Sequence, residues 1–390
     1  MKKKVSSNTA AFCKSRSRID QACLDKVNHD VIEQQQNRLT AQHLWCERHV
    51  KVVDGSSLSM PDTKANQELY PQPRGQKKGC GFPIMRFTAM FSLATGLMLD
   101  YRKSSLQKHE VISWHDMWDG YEDGDVVLGD RAFCSFAAYW LLSKRNVDCV
   151  MRLHQTRKEN KIVKKYNKND YLVQWKKGTK SSKPKWMNLE QWEQMPDQMT
   201  VRYVKVKVDV PAFRTKVYTV ATTLLDKDSY PAHQLAELYR RRWMAELFLR
   251  DIKTTMRMGI LRCKTPEMIH RELTVFIIAY NFIRSLIWEA AMKQGIDPYR
   301  ISFKGAIAAI RQWAPIIAMI KHKKKKEQAI DALIEIVAAD KIPTRKKQRR
   351  EPRAIKRRQN SNYQLLTKPR KNFMEIPHRH SYTKDRKMKI

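Results

Sequence analysis

Residues 124–131 read GDVVLGDR, a short apolar run closed by an acid, and the residues after it leave this part of the chain few choices of fold. Phe133, Phe136, Ala137, Trp140 and Leu141 come next at helical spacing, and residues 147–153 return to a strand pattern. Strand, helix, strand is the grammar of an α/β fold, in which helices cover a sheet that cannot bury its own faces. Upstream, residues 49–60, HVKVVDGSSLSM, form a β-rich run expected to end at Asp54-Gly55 and to carry an acid at its tip. Residues 82–102 hold two apolar runs separated by Ala94-Thr95-Gly96, a hairpin pattern. Asp130 closes the 124–131 strand, so two acids arrive at two strand tips.

A third acid sits on a helix. Residues 232–258 read as one long helix, and at about 100° per residue Tyr239, Arg242, Glu246 and Lys253 fall within roughly a 60° arc. Met244, Leu247, Phe248 and Ile252 occupy the other side and give it an apolar back. By itself Glu246 with Arg250 would be a solvated i,i+4 pair worth about a few tenths of a kcal/mol. Two strand-tip aspartates elsewhere in the chain give it a different context.

The remainder divides by texture. Residues 17–44 keep helical spacing, and 111–117 form a short helix. The basic, Pro- and Gly-rich stretch 70–81 is either a plain surface loop or a phosphate-contacting one. Between 155 and 221 the chain turns to Lys, Asn and Trp, with Val204, Val206, Val208 and Val210 alternating with polar residues. This is a β-rich insertion, with Trp175, Trp186 and Trp192 either its small core or a base-stacking surface. Residues 271–292 form an apolar helix, with 275–287 expected to lie buried behind the acids, and 306–320 and 328–338 are further helices. A basic stretch, 341–358, closes in a tail suited to touching phosphates without reading sequence.

Charge narrows the partner. Against 39 Asp and Glu there are 76 Lys and Arg, a formal net charge of +37. Such an excess exceeds any need of solubility and points to a polyanion, nucleic acid before membrane. The run Val275 to Ile278 is too short to span a bilayer and no secretory segment follows the MKKK start, so no membrane role is expected. Seven cysteines form no C-x-x-C pair, which argues against zinc and a disulfide framework and for small buried apolar residues.

Two strand-tip aspartates and a helical glutamate suit hard divalent ions, which favour carboxylate oxygens and, in pairs, sit about 3.5 to 4 Å apart. The spacing Tyr239-x2-Arg242-x3-Glu246-x6-Lys253 resembles the Y-R-E-K signature of the insertion-sequence-four (IS-four) family of bacterial DDE transposases. The stretches DGSSLSMPDT and GDRAFCS are similar to that family's two aspartate blocks, and REPRAIKRR at 350–358 to its basic tail. The likeness runs from about residue 8 to 370. It implies an RNase H-like α/β fold, a mixed sheet flanked by helices, with a β-rich insertion and helical N- and C-terminal parts. It implies Asp54, Asp130 and Glu246 as catalytic and metal-binding acids, and two Mg²⁺ ions with Mn²⁺ as a substitute. Tyr239, Arg242 and Lys253 would contact end DNA, and Arg131 is a further phosphate ligand.

The resulting layout is a helical region at 1–48, a catalytic domain at 49–154 and 223–295 interrupted by the insertion at 155–222, a helical region at 296–340 and the tail at 341–390. Relatives carry a longer helical region ahead of the first aspartate for recognising element ends, so this N-terminal region is expected to be shortened. The expected activity is transposition of an insertion sequence in the bacterial cytoplasm at the nucleoid. Its partners would be inverted-repeat ends, target DNA and a second copy of the chain in the synaptic complex. The alternatives are an inactive or truncated copy that only binds DNA, and a metal-dependent nuclease. Either way, affinity for DNA should fall steeply with salt, with a log-log slope of about −0.9 per phosphate contact on B-DNA. A salt titration by fluorescence anisotropy that leaves affinity flat would remove nucleic acid as the partner.

Overall fold

The computed structural model describes residues 9–155, 157, 161–207, 217–343, 369 and 372. The basic tail from 344 on, apart from 369 and 372, lies outside the described residues, as do Val208 and Val210 of the alternating run. Helices α1 (Thr9–Ser17) and α2 (Gln21–Gln36) precede β1 (Val50–Ser59), α3 (Lys64–Leu69), β2 (Ile84–Ser92), β3 (Met98–Ser105) and α4 (Glu110–His115). Next come β4 (Val126–Gly129), α5 (Phe136–Ser143), β5 (Asp148–Arg152), β6 (Lys161–Asn167), β7 (Asp170–Lys176), α6 (Leu189–Glu193), β8 (Gln198–Lys207) and β9 (Val217–Thr222). The last part is helical: α7 (Ala232–Arg241), α8 (Trp243–Arg250), a π-helical turn (Asp251–Thr255), α9 (Pro266–Gln294), α10 (Phe303–Met319) and α11 (Lys323–Ala339).

Among the described residues the strands form one nine-stranded sheet in the order β3-β2-β1-β4-β5-β9-β8-β7-β6. β1 runs parallel to β4 and β4 to β5, while β2 is antiparallel to both β1 and β3. Those five strands, with helices on both faces, form a mixed α/β sheet. The strands of the insertion continue it, because β9 pairs antiparallel with the free edge of β5, Val150 opposite Thr222. An open edge of unpaired backbone groups is thereby covered.

Strand alternation splits the apolar residues between two cores. Along β1, Val50, Val52 and Leu58 face a core shared with α7, α8 and α9, whereas Val53 faces one shared with α4 and α5. Trp175 and Trp192 are buried in that second core beside Trp114, Trp118 and Phe133, so these two are neither a separate insertion core nor a stacking surface. Trp186 is partly buried and stacks on His115 with ring centroids 4.5 Å apart.

Three local expectations change. β1 does not end at Asp54-Gly55 but runs on to Ser59, because Asp54 to Ser59 keep their antiparallel register with β2. The long helix is two segments broken at Arg242 and ending in the π turn, where Met256 N–H reaches back to the carbonyl of Asp251. α9 is buried on one face only: Ile277, Tyr280 and Ile287 lie in the core, while Val275 and Phe282 are about half exposed. By length and composition α9 would suffice to cross a bilayer, and here it packs as a core helix against α2, α10 and α11. The described cysteines are all free, and Cys23 and Cys46 are exposed, contrary to their expected burial.

The apolar back of α8 rests on Phe248, which is fully buried with its ring 5.2 Å from Phe91 and 5.8 Å from Tyr299. Phe248→Ala should destabilise the protein by about 3 to 5 kcal/mol, since the sheet and α9 fix the cavity walls. Urea denaturation measures it, and a loss under about 1 kcal/mol would mean that the helix is not held by this face.

Candidate active site

The sheet opens where β4 stops. Its pairing with β1 covers only Val50 to Val52 opposite Val126 to Leu128, and β4 ends at Gly129. β1 continues past that end, held on its other side by β2, so Asp54 lies beside a gap with Ala89 as its β2 partner. From β1 the chain goes to β2 on one side, and from β4 to β5 on the other. This is a topological switch point at the carboxyl ends of parallel strands, where open α/β sheets form a crevice.

Asp130, immediately after β4, enters the same crevice on a tight turn in which its Oδ1 accepts the Ala132 N–H at 2.7 Å. α8 brings Glu246 across the sheet face, with its Oε1 accepting from Arg242 Nη2 at 2.8 Å. The partner of Glu246 is therefore Arg242, one turn back, and not Arg250. Burial raises the Asp54 carboxyl to about 6; a hydrogen bond from Gly55 N–H and the charge of Arg242 pull it down, while Glu246 and Asp130 push it up. Glu246 and Asp130 thus both act on Asp54 as like charges, although the oxygens of the three acids do not all lie within 4.8 Å of one another. Among the described residues the group that does is His29, Asp30 and Glu33, mostly exposed on α2.

The cationic side chains take different positions. Arg242 is mostly buried; burial opposes its charge, and Tyr239, Glu246 and Asp54 more than offset that. Tyr239 is buried with its ring 5.3 Å from Tyr218, and burial lifts its hydroxyl to about 12, so it stays a proton donor. The π turn aims Lys253 at β1, where its Nζ donates to Ser56 Oγ at 2.7 Å, and burial lowers its pKa. Arg131 is exposed and donates to Gln155 Oε1 at 2.7 Å, bonded toward the end of β5.

Two participants escaped the sequence reading. Ser56 shares the face of Asp54 and meets Lys253. Glu110, first residue of α4, stands against Gly55 from the other face of the sheet; burial raises its carboxyl to about 7, helped by the charges of Asp54 and Asp130. The only hint in the sequence was a glycine inside a strand.

The donor set, carboxylate oxygens with no Cys or His, fits hard ions such as Mg²⁺ or Mn²⁺. Like charges crowded around a gap are what such a cation relieves. A pair of ions about 3.5 to 4 Å apart can take ligands from either side, so the three acids need not touch. A cavity of about 610 Å³ lies elsewhere, between α9 and α10 among Met256, Val275, Phe276 and Ile307, and none of these acids lines it.

Residues 45–282 match the family model described as Transposase DDE domain. The chain is 23% identical over 354 residues to the transposase InsG for insertion sequence element IS4 of Escherichia coli (strain K12), covering 90% of this chain and 76% of that protein. It is 31% identical over 70 residues to the transposase for insertion sequence element IS421 of Escherichia coli, 18% of this chain and 19% of that one. Among solved structures, the cryo-EM structure of the piggyBac transposase synaptic complex with hairpin DNA aligns with a TM-score of 0.41 and 9% identity. The alignment covers 77% of this chain and 60% of that one.

The raised Asp54 carboxyl has a signed consequence. Its folded pKa, about 6, lies above its ordinary value of 3.8, so the native state binds the extra proton in between. Stability from this group is complete below about pH 4 and lost as pH rises through 6. In metal-free buffer Asp54→Asn should therefore stabilise the fold at pH 8 by about 1 to 2 kcal/mol after allowing for partial exposure, seen as a higher Tm, with the gain vanishing near pH 4. Differential scanning calorimetry at the two pH values checks this; a variant less stable than wild type at pH 8 contradicts the electrostatic account.

Proposed function

The chain belongs to the transposase DDE domain family, and on that premise we propose that it cuts and rejoins DNA at the ends of an insertion sequence, with Asp54, Asp130 and Glu246 as its acids. The observation that carries this is the meeting of all three at one switch-point crevice, within a family match spanning both aspartates and the glutamate. In the first step a water oxygen attacks the scissile phosphorus and the P–O3′ bond breaks, leaving a free 3′-OH on the element. In the second that hydroxyl attacks a target phosphodiester, and one new P–O bond replaces another. Hydrolysis runs downhill and strand transfer exchanges one phosphodiester for another, so no outside energy source is needed.

Asp54, Asp130 and Glu246 would hold two divalent ions, Mg²⁺ or Mn²⁺, which activate the attacking oxygen and steady the leaving one. The chain's own residues do the rest. Arg242, beside Asp54 and Glu246, supplies a fixed guanidinium for a phosphate oxygen. Lys253 donates from the β1 side, and the protonated Tyr239 hydroxyl closes the third. Arg131 lies on the rim, where a backbone phosphate passing over the end of β5 would meet it. The surplus of positive charge draws the duplex in, and a second copy of the chain on the other element end completes the synaptic complex. The protein would work at the nucleoid, in the bacterial cytoplasm. Three acids kept at one crevice argue against a copy that only binds DNA.

Glu246→Gln keeps shape and removes charge. Cleavage of end DNA in Mg²⁺ should fall by on the order of 10² to 10³ or more, while DNA affinity holds or rises as repulsion from phosphate declines. Arg242→Ala should lower both affinity and rate and reduce the salt slope by about one contact. Because Arg242 also holds the Asp54 carboxyl down, the acid limb of the variant's pH–rate profile should move to higher pH. Gel assays of nicked and joined products measure these. Wild-type cleavage by Glu246→Gln would remove this acid from the chemistry, and nicks without joined product would make the protein a nuclease.

A further inference from the structure

We propose that Glu110 is a fourth acid of this centre, reaching through the opening that Gly55 leaves in β1 to ligate one of the divalent ions. The inference rests on Asp54, Asp130 and Glu246 being the catalytic acids and adds a donor from the opposite face of the sheet.

Gly55 is the first observation. Its φ is not positive, unlike that of Gly79, Gly96, Gly124 and Gly295, so the backbone does not demand glycine there. Glycine in a strand also costs stability relative to a residue with a side chain. What position 55 excludes is a Cβ, which would collide with the Glu110 carboxylate. Strand alternation sends Asp54 to the α8 side and position 55 to the α4 side, so Glu110 comes up to the backbone next to Asp54 from behind.

The second observation is the gap. β4 has ended beside this point, so β1 lacks a neighbour on the side where Asp130 sits, and a carboxylate at Gly55 can look past the strand edge. Asp54 and Asp130 both act on Glu110 electrostatically, so it lies within range of each.

The third is what Glu110 lacks. Its ion pair with Arg86 is 3.7 Å long, beyond a hydrogen bond, and the Arg86 Nη2 is instead bonded to the Leu106 carbonyl at 3.2 Å. A half-buried carboxylate close to two others, with a distant guanidinium as its countercharge, is poorly compensated without a further cation. Its position at the first turn of α4 orients it, and that six-residue helix is short enough to serve chiefly as a mount.

The test is a Mn²⁺ titration of the full chain by isothermal calorimetry at pH 8 without DNA, beside thermal melts in EDTA. Wild type should bind and Asp54→Asn should lose binding. Glu110→Gln should bind about tenfold or more weakly while melting in EDTA at or above the wild-type temperature. Gly55→Ala keeps every carboxylate but displaces Glu110, and should weaken Mn²⁺ in the same way; it decides the matter if Glu110→Gln fails to fold. Wild-type Mn²⁺ affinity in Glu110→Gln, with binding lost in Asp54→Asn, overturns the proposal and leaves the three-acid reading standing. Wild-type affinity in Asp54→Asn overturns both. A lower melting temperature with unchanged Mn²⁺ affinity would reduce Glu110 to a structural partner of Arg86.

Discussion

β1 outruns β4, and the site depends on that difference in length. Two parallel strands share three paired positions, after which one stops at Gly129 and the other continues to Ser59. While β1 has neighbours on both sides its side chains are core. Once β4 is gone, Asp54 has a sheet on one flank and open space on the other, and Asp130 turns into that space. The overhang is not frayed, because β2 pairs along its whole length and Ser59 is bonded on the other edge by Gly259 and Leu261. The gap is therefore bounded at both ends by backbone hydrogen bonds, which gives it a fixed width.

The second requirement is that the helix carrying Glu246 stay in register with this gap. A buried cation does much of that work. Arg284 on α9 lies in the core with its guanidinium 2.9 Å from the Asp251 carboxylate and against the rings of Phe248, Tyr280 and Phe303. Asp251 opens the π turn, so α8 is pinned at its end by an ion pair and along its back by Phe248. Removing one member of such a pair strands the other as an uncompensated charge, a penalty of roughly 3 to 5 kcal/mol, so the geometry is strongly enforced. Pinned there, the wider turn directs Lys253 to Ser56, and the carbonyl of Lys253 accepts the Gly259 N–H that leads back to β1. Helix, turn and strand form one closed mechanical loop around the acids.

Much of this was legible in the sequence. The strand-helix-strand order, the hairpin, the apolar back of the 232–258 helix and the surplus of basic residues depend on local spacing and composition, which survive any arrangement in space. The two aspartates stood out because a carboxylate closing an apolar run has no structural reason to be there, and Glu246 because of the residues it shares a helix stripe with. The errors came where a neighbour decides. Residues 54–59 are polar enough to look like a loop, and only pairing with β2 makes them strand. The break at Arg242 and the π turn leave no trace in periodicity, and the turn answers to Arg284 and Gly259, which bond Asp251 and Lys253, rather than to its own residues. Two exposed cysteines and the half-exposed face of α9 were misjudged for the same reason: composition says what a residue prefers and not which surface remains to cover it.

The sequence by itself determined an α/β sheet, an acid on each of two strands and one on a helix, and a chain charged for nucleic acid. Tertiary structure alone decided that these acids share one crevice, since that depends on where β4 stops relative to β1, and that Glu246 pairs with Arg242 rather than Arg250. It alone brought Glu110 to the back of Gly55, because contact through the plane of a sheet joins residues with no common spacing. Periodicity encodes which way a side chain faces along its own element; distance between elements is set by packing and by the strand ends, and neither has a local signature.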